Sequence, residues 1–457
     1  MRIPTAPPDD TAAFARAMQD TKVGFKLFSV PPEQGESYLH WDDLRRRPVP
    51  EGLDHEAWWA IVKLRRKASG QTLPFSDTAK RSFWFTEPAA IREAVRNVDL
   101  HWGGVIGSPA SGIATPGEAR TYLVRSLAEE PFSSSFLEGA ATSREIAKQL
   151  IFQNRAPRTV DERMVLNNYY GLNYVKSNIS GPLTVKIILE THRIITKGTL
   201  ERPEMAGVMR ADENDVHVVD NSTGEILHTP PRAEELPQRL QLICDFANNT
   251  MSDTGFMHPV VRAIVTHFML AYDHPFVDGN GRTARALFYW LMLKSGYWLA
   301  EYASISSAIN KAPVKYGRAF LETETDGADM TYFIMHQCLV IAEAERGLRQ
   351  YIERKRKEID NLAFVIEATR RDGGFNHRQT AILNEFIRKR SASTTIANYQ
   401  IRHSVSYHTA RNDLEELVIR GYLSKRRDGR ESYYTPISTL ERKLLGGVKA
   451  SEPAVGR

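Results

Sequence analysis

The sequence predicts a mainly α protein. A helical bundle interrupted by one β-hairpin lies between a small N-terminal lobe and a C-terminal winged helix-turn-helix. Three observations carry this reading. Between about 117 and 370, apolar residues recur at spacings of three and four, the periodicity of helices that bury one face. Inside that region, "GVMRADENDVHVVDNSTGEILHTPP" breaks the pattern, because Val216 and Val218 alternate and an Asn-Ser-Thr-Gly turn follows, as in a hairpin. From Asn376 onward, three helical stretches precede two short strands around Asp428-Gly429, with Gly421 as the stop of the third helix.

Taken in order, residues 1–35 are rich in Pro and Asp and are expected to form a flexible arm. Residues 36–110 read as a small α/β lobe of unassigned role, with Trp58, Ile61, Val62 and Leu64 near helical spacing. The helical core runs from 111 to 345, a charged connector helix from 346 to 375, and the winged helix from 376 to 440. A tail follows at 441–457. A chain of 457 residues exceeds one ordinary core, so two or three domains are expected.

Composition narrows the function classes. Apolar residues make up 42% and charged residues 25%, the balance of a soluble globular protein. The most apolar stretch, 286–300, is broken by Lys294 and is too short to span a membrane. "MRIPTAPPDD" lacks a basic-then-apolar leader pattern, and two cysteines cannot build a disulfide framework or zinc site. A reducing, cytoplasmic setting is therefore expected, with Cys244 and Cys338 buried. Residues 376–457 hold 15 Lys and Arg against 8 Asp and Glu, a surplus larger than the whole-chain net of +5. The basic excess thus sits in the C-terminal fifth, where it suits either nucleic acid or a solvated surface.

The chemistry concentrates in "HPFVDGNGRTAR", residues 274–285. Gly279, Asn280 and Gly281 form a turn opening an apolar helix. Such a turn aims several backbone N–H groups at one spot, where the helix dipole adds positive charge. Arg282 and Arg285, three apart, project from the first turn on nearby faces. The site is built for a polyphosphate. Asp278 beside it would repel phosphate unless a hard cation lay between them, which argues for Mg²⁺ on one carboxylate and phosphate oxygens. His274 precedes a proline, so its backbone is expected at a helix end. Its near-neutral pKa suits it to accept a proton from a hydroxyl.

These twelve residues match H-x-F-x-[DE]-G-N-G-R-x-x-R, and the chain therefore resembles the Fic family across roughly 117–345. The resemblance implies an α bundle with a hairpin flap that holds the target segment extended. Gly207, Val208, Met209, Arg210, Val216 and Val218 fall on that flap. It implies transfer of AMP from ATP to a Ser, Thr or Tyr hydroxyl of a protein, with pyrophosphate released. His274 would be the base, Asp278 the Mg²⁺ ligand, and Gly279, Asn280, Gly281, Arg282 and Arg285 the phosphate site. Asn280 would lie near the transferred group and Arg285 at the γ-phosphate. A kinase-like branch carries Lys at the position of Gly281, which favours AMP transfer here. A phosphocholine-transferring branch stays open.

"SSSFLEGAAT" at 133–142 is similar to the family's inhibitory motif, [ST]-x-x-x-E-[GN], through Ser134, Glu138 and Gly139. The resemblance implies that Glu138 pairs with Arg285 and takes the seat of the γ-phosphate, leaving the α-phosphate misaligned. In some relatives this glutamate positions water for AMP removal, so a deAMPylase is a further reading. A third is a DNA-binding transcription regulator whose core senses nucleotide. In the winged helix, Ser406, Tyr407, His408, Arg411 and Asn412 would face a major groove. Lys425, Arg426, Arg427 and Arg430 would lie near phosphates. Winged helices also dock proteins, and both uses stay open. The partners expected are ATP, a protein substrate that includes the enzyme itself, DNA and a second copy of the chain, with no membrane.

Overall fold

The structure, a computed structural model, describes residues 2–19, 38–103, 124–371, 374–388, 393–428 and 431–448, except 215, 221 and 252–254. The chain folds as two compact units. The first joins the N-terminal region to residues 125–348, and the second covers 349 onward together with 113–124, of which 113–123 lie outside the described residues. Among the described residues no helix is long and apolar enough to cross a membrane.

The first unit begins with α1 (Asp10–Gln19), α2 (Trp41–Leu44) and α3 (His55–Ala68). The helix α1 lies where an irregular arm was expected. Asp9 Oδ1 accepts from the Thr11 and Ala12 N–H groups, and Ala-rich "DTAAFARAMQ" favours helix once it is capped. Asp54 caps α3 by accepting from Ala57 N at 2.7 Å. Strands β1 (Gln71–Ser76) and β2 (Ser82–Phe85) form an antiparallel hairpin, followed by α4 (Ala89–His101).

This region belongs to the same compact unit as the helical core. Trp84 exchanges backbone hydrogen bonds with Ala328 and Met330. Lys63, 1% exposed, places its ammonium 2.8 Å from Asp326 Oδ2 and 3.2 Å from Asp329 Oδ2, over the Trp84 ring. A buried cation with two carboxylates fixes one register between segments far apart in sequence.

The bundle comprises α5 (Glu129–Leu137), α6 (Arg144–Phe152), α7 (Val160–Ser177), α8 (Val185–Thr196), α9 (Leu236–Ala247), α10 (Pro259–Asp273) and α11 (Asn280–Lys294). It continues with α12 (Ile305–Ile309), α13 (Pro313–Thr325) and α14 (Thr331–Arg371). Ser143, Thr159 and Thr184 cap α6, α7 and α8 by accepting from the N–H group three residues on. The centre is dry and aromatic: Phe268, Leu287, Phe288, Trp290 and Phe333 are fully buried. Each such side chain contributes about 1.5–3 kcal/mol of burial. Cys244 and Cys338 are buried free thiols. Between α8 and α9, β3 (Val218–Val219) pairs with β4 (Ile226–His228) in a short irregular hairpin.

The helix α14 runs unbroken through the segment expected as a separate connector, since Gly347 alone does not stop it. In the second unit its Leu362 and Ile366 join a core with Leu383, Tyr399, Leu414, Leu417 and Tyr434. There α15 (His377–Arg388), β5 (Thr394–Thr395), α16 (Ile396–His403), α17 (Tyr407–Ile419), β6 (Leu423–Asp428) and β7 (Glu431–Pro436) follow one another. The three strands are ordered β5-β7-β6, antiparallel throughout. The expected tail is helical over α18 (Leu440–Val448), and Leu440 and Leu444 pack into the same core.

Candidate active site

The site forms where α10 ends and α11 begins. His274 is the C-cap of α10 in the left-handed conformation, φ 47° and ψ 55°. That conformation costs a non-glycine residue about 1–2 kcal/mol, and Pro275 forbids the helix from continuing. Arg210 holds the strained turn. Its N–H donates to Pro275 O and its Nε to His274 O, both at 2.8 Å.

The His274 ring has a defined tautomer. Nδ1 lies 3.1 Å from Ala271 O, a carbonyl that can only accept, so Nδ1 carries the proton. Nε2 keeps its lone pair, as a base requires. Burial lowers the His274 pKa to about 4; the hydrogen bond to Ala271 O and the Glu138 charge oppose this, while His228 and Arg210 reinforce it. The ring is neutral at neutral pH.

The glycines that follow are fixed by two different contacts. Gly279 caps α11 at φ 86°, and a Cβ there would lie 2.6 Å from Thr196 Cγ2. A Cβ on Gly281 would lie 2.2 Å from Glu138 Oε1. Only glycine admits both approaches. The N–H groups of Asn280, Gly281 and Arg282 lie in the first turn of α11, which offers no intrahelical acceptor. Asn280 itself works inward. Its Oδ1 accepts from Phe276 N at 2.9 Å and its Nδ2 donates to Phe276 O at 2.8 Å. The side chain expected near the transferred group is thus spent on closing the loop.

Arg282 is 1% exposed, and one nitrogen contacts Asp278 Oδ2 at 3.2 Å. Its Nε and Nη1 are buried without partners, an arrangement that favours an anion. Asp278 is half-exposed beside the turn. Among the described residues, no three His, Cys, Asp or Glu side chains gather as a metal cage. A single open carboxylate fits an ion whose remaining ligands are phosphate and water oxygens, as Mg²⁺ prefers.

Across this turn stands Glu138, placed by the end of α5. Gly139 is left-handed at φ 93°, its N–H donates to Phe136 O, and Ala140 N donates to Ser135 O. This closing motif makes Glu138 the last residue of the turn and aims its side chain back along the helix. Its Oε1 is 2.7 Å from Arg285 Nη2. Arg285 is 1% exposed and also donates to the Oγ and the carbonyl of Ser134, at 2.9 and 3.1 Å. Burial works against a charged Glu138, but Arg285, with Arg282 behind it, outweighs that and holds its pKa below the usual carboxylate range.

A cavity of about 290 Å³ opens between these groups and the hairpin. Its lining includes Glu138, His274, Gly281 and Arg285, together with Tyr272, Phe320 and Glu324, and Val218, Leu227 and His228 from the hairpin. Of the residues expected to face a target, Val208 is 47% exposed, Met209 and Val216 are half-buried, and Val218 lines the cavity. Arg210 does not face outward. It is 7% exposed and binds the loop backbone, because its guanidinium finds three carbonyl acceptors there.

Sequence reasoning missed His192. Fully buried, it donates from Nε2 to Asp278 O at 2.8 Å and accepts at Nδ1 from Gly207 N at 2.9 Å. Its ring stacks on Phe276 at 3.7 Å between centroids. One side chain therefore joins α8, the glycine turn and the start of the hairpin segment. A signal existed: in "LTVKIILETHRIITKG", His192 falls on the same helical face as Ile188 and Ile195.

In the second unit Tyr407, His408, Arg411 and Asn412 are exposed on the first turns of α17. Ser406 is instead its N-cap, accepting from Thr409 N. Lys425, Arg426 and Arg427 are exposed on β6, but Lys425 is paired with Glu415. Arg430 lies outside the described residues.

The model of the Fic/DOC family matches residues 182–292, which hold α8, α9, α10, most of α11 and the hairpin. A protein adenylyltransferase Fic of Drosophila willistoni is 33% identical over 214 residues, 45% of this chain and 40% of that protein. One of Nematostella vectensis is 28% identical over 172 residues, 36% of this chain and 37% of that protein. The chain thus spans two fifths or less of the length of these curated relatives. A solved Fic family protein from Desulfovibrio desulfuricans G20 aligns with 77% of this chain and 97% of its own, with a TM-score of 0.47 and 18% identity.

Proposed function

From the premise that this chain carries a Fic domain, we propose that it is a protein adenylyltransferase held inactive by Glu138. The observation that carries the proposal is the convergence of four features on one cavity. These are a neutral His274 with Nε2 free, Gly281 in the first turn of a helix, the buried Arg285, and a carboxylate bound to it. Curated relatives named as protein adenylyltransferases support the choice of AMP as the transferred group.

The acceptor hydroxyl oxygen forms a bond to the α-phosphorus of ATP. The bond from that phosphorus to the β-bridging oxygen breaks, and pyrophosphate leaves. The hydroxyl proton passes to His274 Nε2. The first-turn N–H groups and Arg282 hold phosphate oxygens, and this fixed charge and positioning lower the barrier. Arg285 binds the outermost phosphate. Asp278 would hold Mg²⁺, which neutralises phosphate charge when bound. Glu138 competes for Arg285, so ATP enters with its α-phosphate out of line. A misplacement of about 1 Å costs roughly 100-fold. Exchange of Glu138 for glycine, followed by labelling with ATP, tests the proposal directly.

A second reading concerns the 349–448 unit. Exposed Tyr407, His408, Arg411 and Asn412 on one helix, followed by exposed Arg426 and Arg427 on a strand, support a winged-helix contact to DNA. Anisotropy of a labelled duplex should then show affinity that falls steeply with salt, and salt-independent or absent binding refutes it.

A further inference from the structure

His228 stands on β4 at the wall of the catalytic cavity, 8% exposed. Both its nitrogens meet acceptors. Nδ1 is 2.8 Å from Glu324 Oε2 on α13, and Nε2 is 2.8 Å from Tyr272 O at the end of α10. A carbonyl can only accept, and a carboxylate bound this closely takes a donated proton. A neutral imidazole has one N–H and satisfies one of the two acceptors; only the imidazolium satisfies both. The strands of the hairpin are two and three residues long and their register is irregular, so their own pairing holds them only weakly. We propose that the imidazolium of His228 is the positioning group that latches the hairpin against the cavity wall.

The surroundings agree. Glu324 faces the ring from α13, while Tyr272, Asp273 and His274 face it from α10. Arg210 lies on the hairpin segment, and Arg239 of α9 neutralises Asp273 at 2.7 Å. Burial disfavours the charged ring, but Glu324, the Tyr272 carbonyl and Asp273 more than offset it, so its pKa is raised above the ordinary imidazole value. The sign follows. A raised pKa makes the latch fully present below the ordinary imidazole range and lost as pH rises through the raised value. His274, lowered to about 4, stays neutral throughout. Below that raised value the two histidines of one cavity hold opposite charge states, one to take a proton and one to hold the hairpin that would present the acceptor.

The assignment of the hairpin to target docking rests on the adenylyl-transfer reading; the latch itself is tested without it. Hydrogen exchange of the full chain, corrected for the intrinsic pH dependence, is followed over peptides covering 216–231 and over α10, from about pH 6 to about pH 9. Wild type is expected to lose protection at 216–231 by about tenfold as pH rises, with α10 unchanged, the loss of one charge-assisted hydrogen bond. His228→Gln and Glu324→Gln should show the loosened hairpin at every pH. Glu324→Gln keeps shape and size, so a hairpin loosened in both variants with α10 intact separates the latch from misfolding. Wild-type exchange that is flat with pH, or variants that follow wild type, overturns the proposal. Normal latch behaviour in a chain that never transfers AMP would refute the function and leave the latch standing.

Discussion

Glu138 Oε1 sits 2.7 Å from Arg285 Nη2 and against the backbone of Gly281, at the glycine turn that opens α11. The carboxylate occupies the place an anionic ligand would need. Its lowered pKa means that it stays charged to lower pH than an ordinary carboxylate, so mild acidification does not release it.

If Glu138 competes with nucleotide for Arg285, removing it should strengthen binding of ATP. ATP with Mg²⁺ should raise the melting temperature of Glu138→Gly by several degrees more than that of wild type, since at one ligand concentration tighter binding stabilises the folded state more. Calorimetry should show the matching gain. Equal shifts would mean that Arg285 is not the contested group.

His274 should set the acid limb of catalysis. With a free-enzyme pKa of about 4, kcat/KM should be flat from about pH 6 to about pH 8 and fall only as pH nears the lowered value. An ordinary histidine base would lose half its activity near pH 6.5, so a pH–rate profile of the Glu138→Gly enzyme separates the two.

Gly279→Ala should be harmful in itself. The backbone is left-handed at φ 86°, and the added methyl meets Thr196 and His192. A cost of about 1–3 kcal/mol is expected, read as a lower urea midpoint. Unchanged stability would show that the turn can rearrange.

Lys63→Met should be among the most damaging changes outside the cavity. It leaves Asp326 and Asp329 buried without their cation, at a cost of about 3–5 kcal/mol. Replacement of all three by apolar residues should recover much of that loss. Denaturant titration of the single and triple variants checks both statements.

What was legible in the sequence was contiguous. The run 274–285 carries its chemistry in twelve successive positions, so its loop-then-helix form and charge could be read without a fold. The helical periodicity and the hairpin in the middle of the core were legible for the same reason. What escaped depends on partners far apart in the chain. His192 meets Asp278 O across 86 residues, and His228 meets Glu324 across 96. Nothing local in either histidine announces its partner. Asn280 and Arg210 carried the right residue types for ligand contacts, yet nearby backbone groups claim both side chains. The N-terminal segment misled through its Pro and Asp content, which hid a capped, alanine-rich helix at Asp10–Gln19.

The role proposed for Glu138 is to restrain an adenylyl transfer for which His274 is the base. The direct measurement is incorporation of label from ATP carrying a radioactive α-phosphate, with Mg²⁺ and a cell lysate as acceptor. Wild type, Glu138→Gly and Glu138→Gly/His274→Ala are compared. The account predicts label on protein with the Glu138→Gly enzyme, at least about tenfold less with wild type, and none with the double variant. Equal labelling by wild type and Glu138→Gly, or labelling that survives loss of His274, would contradict it.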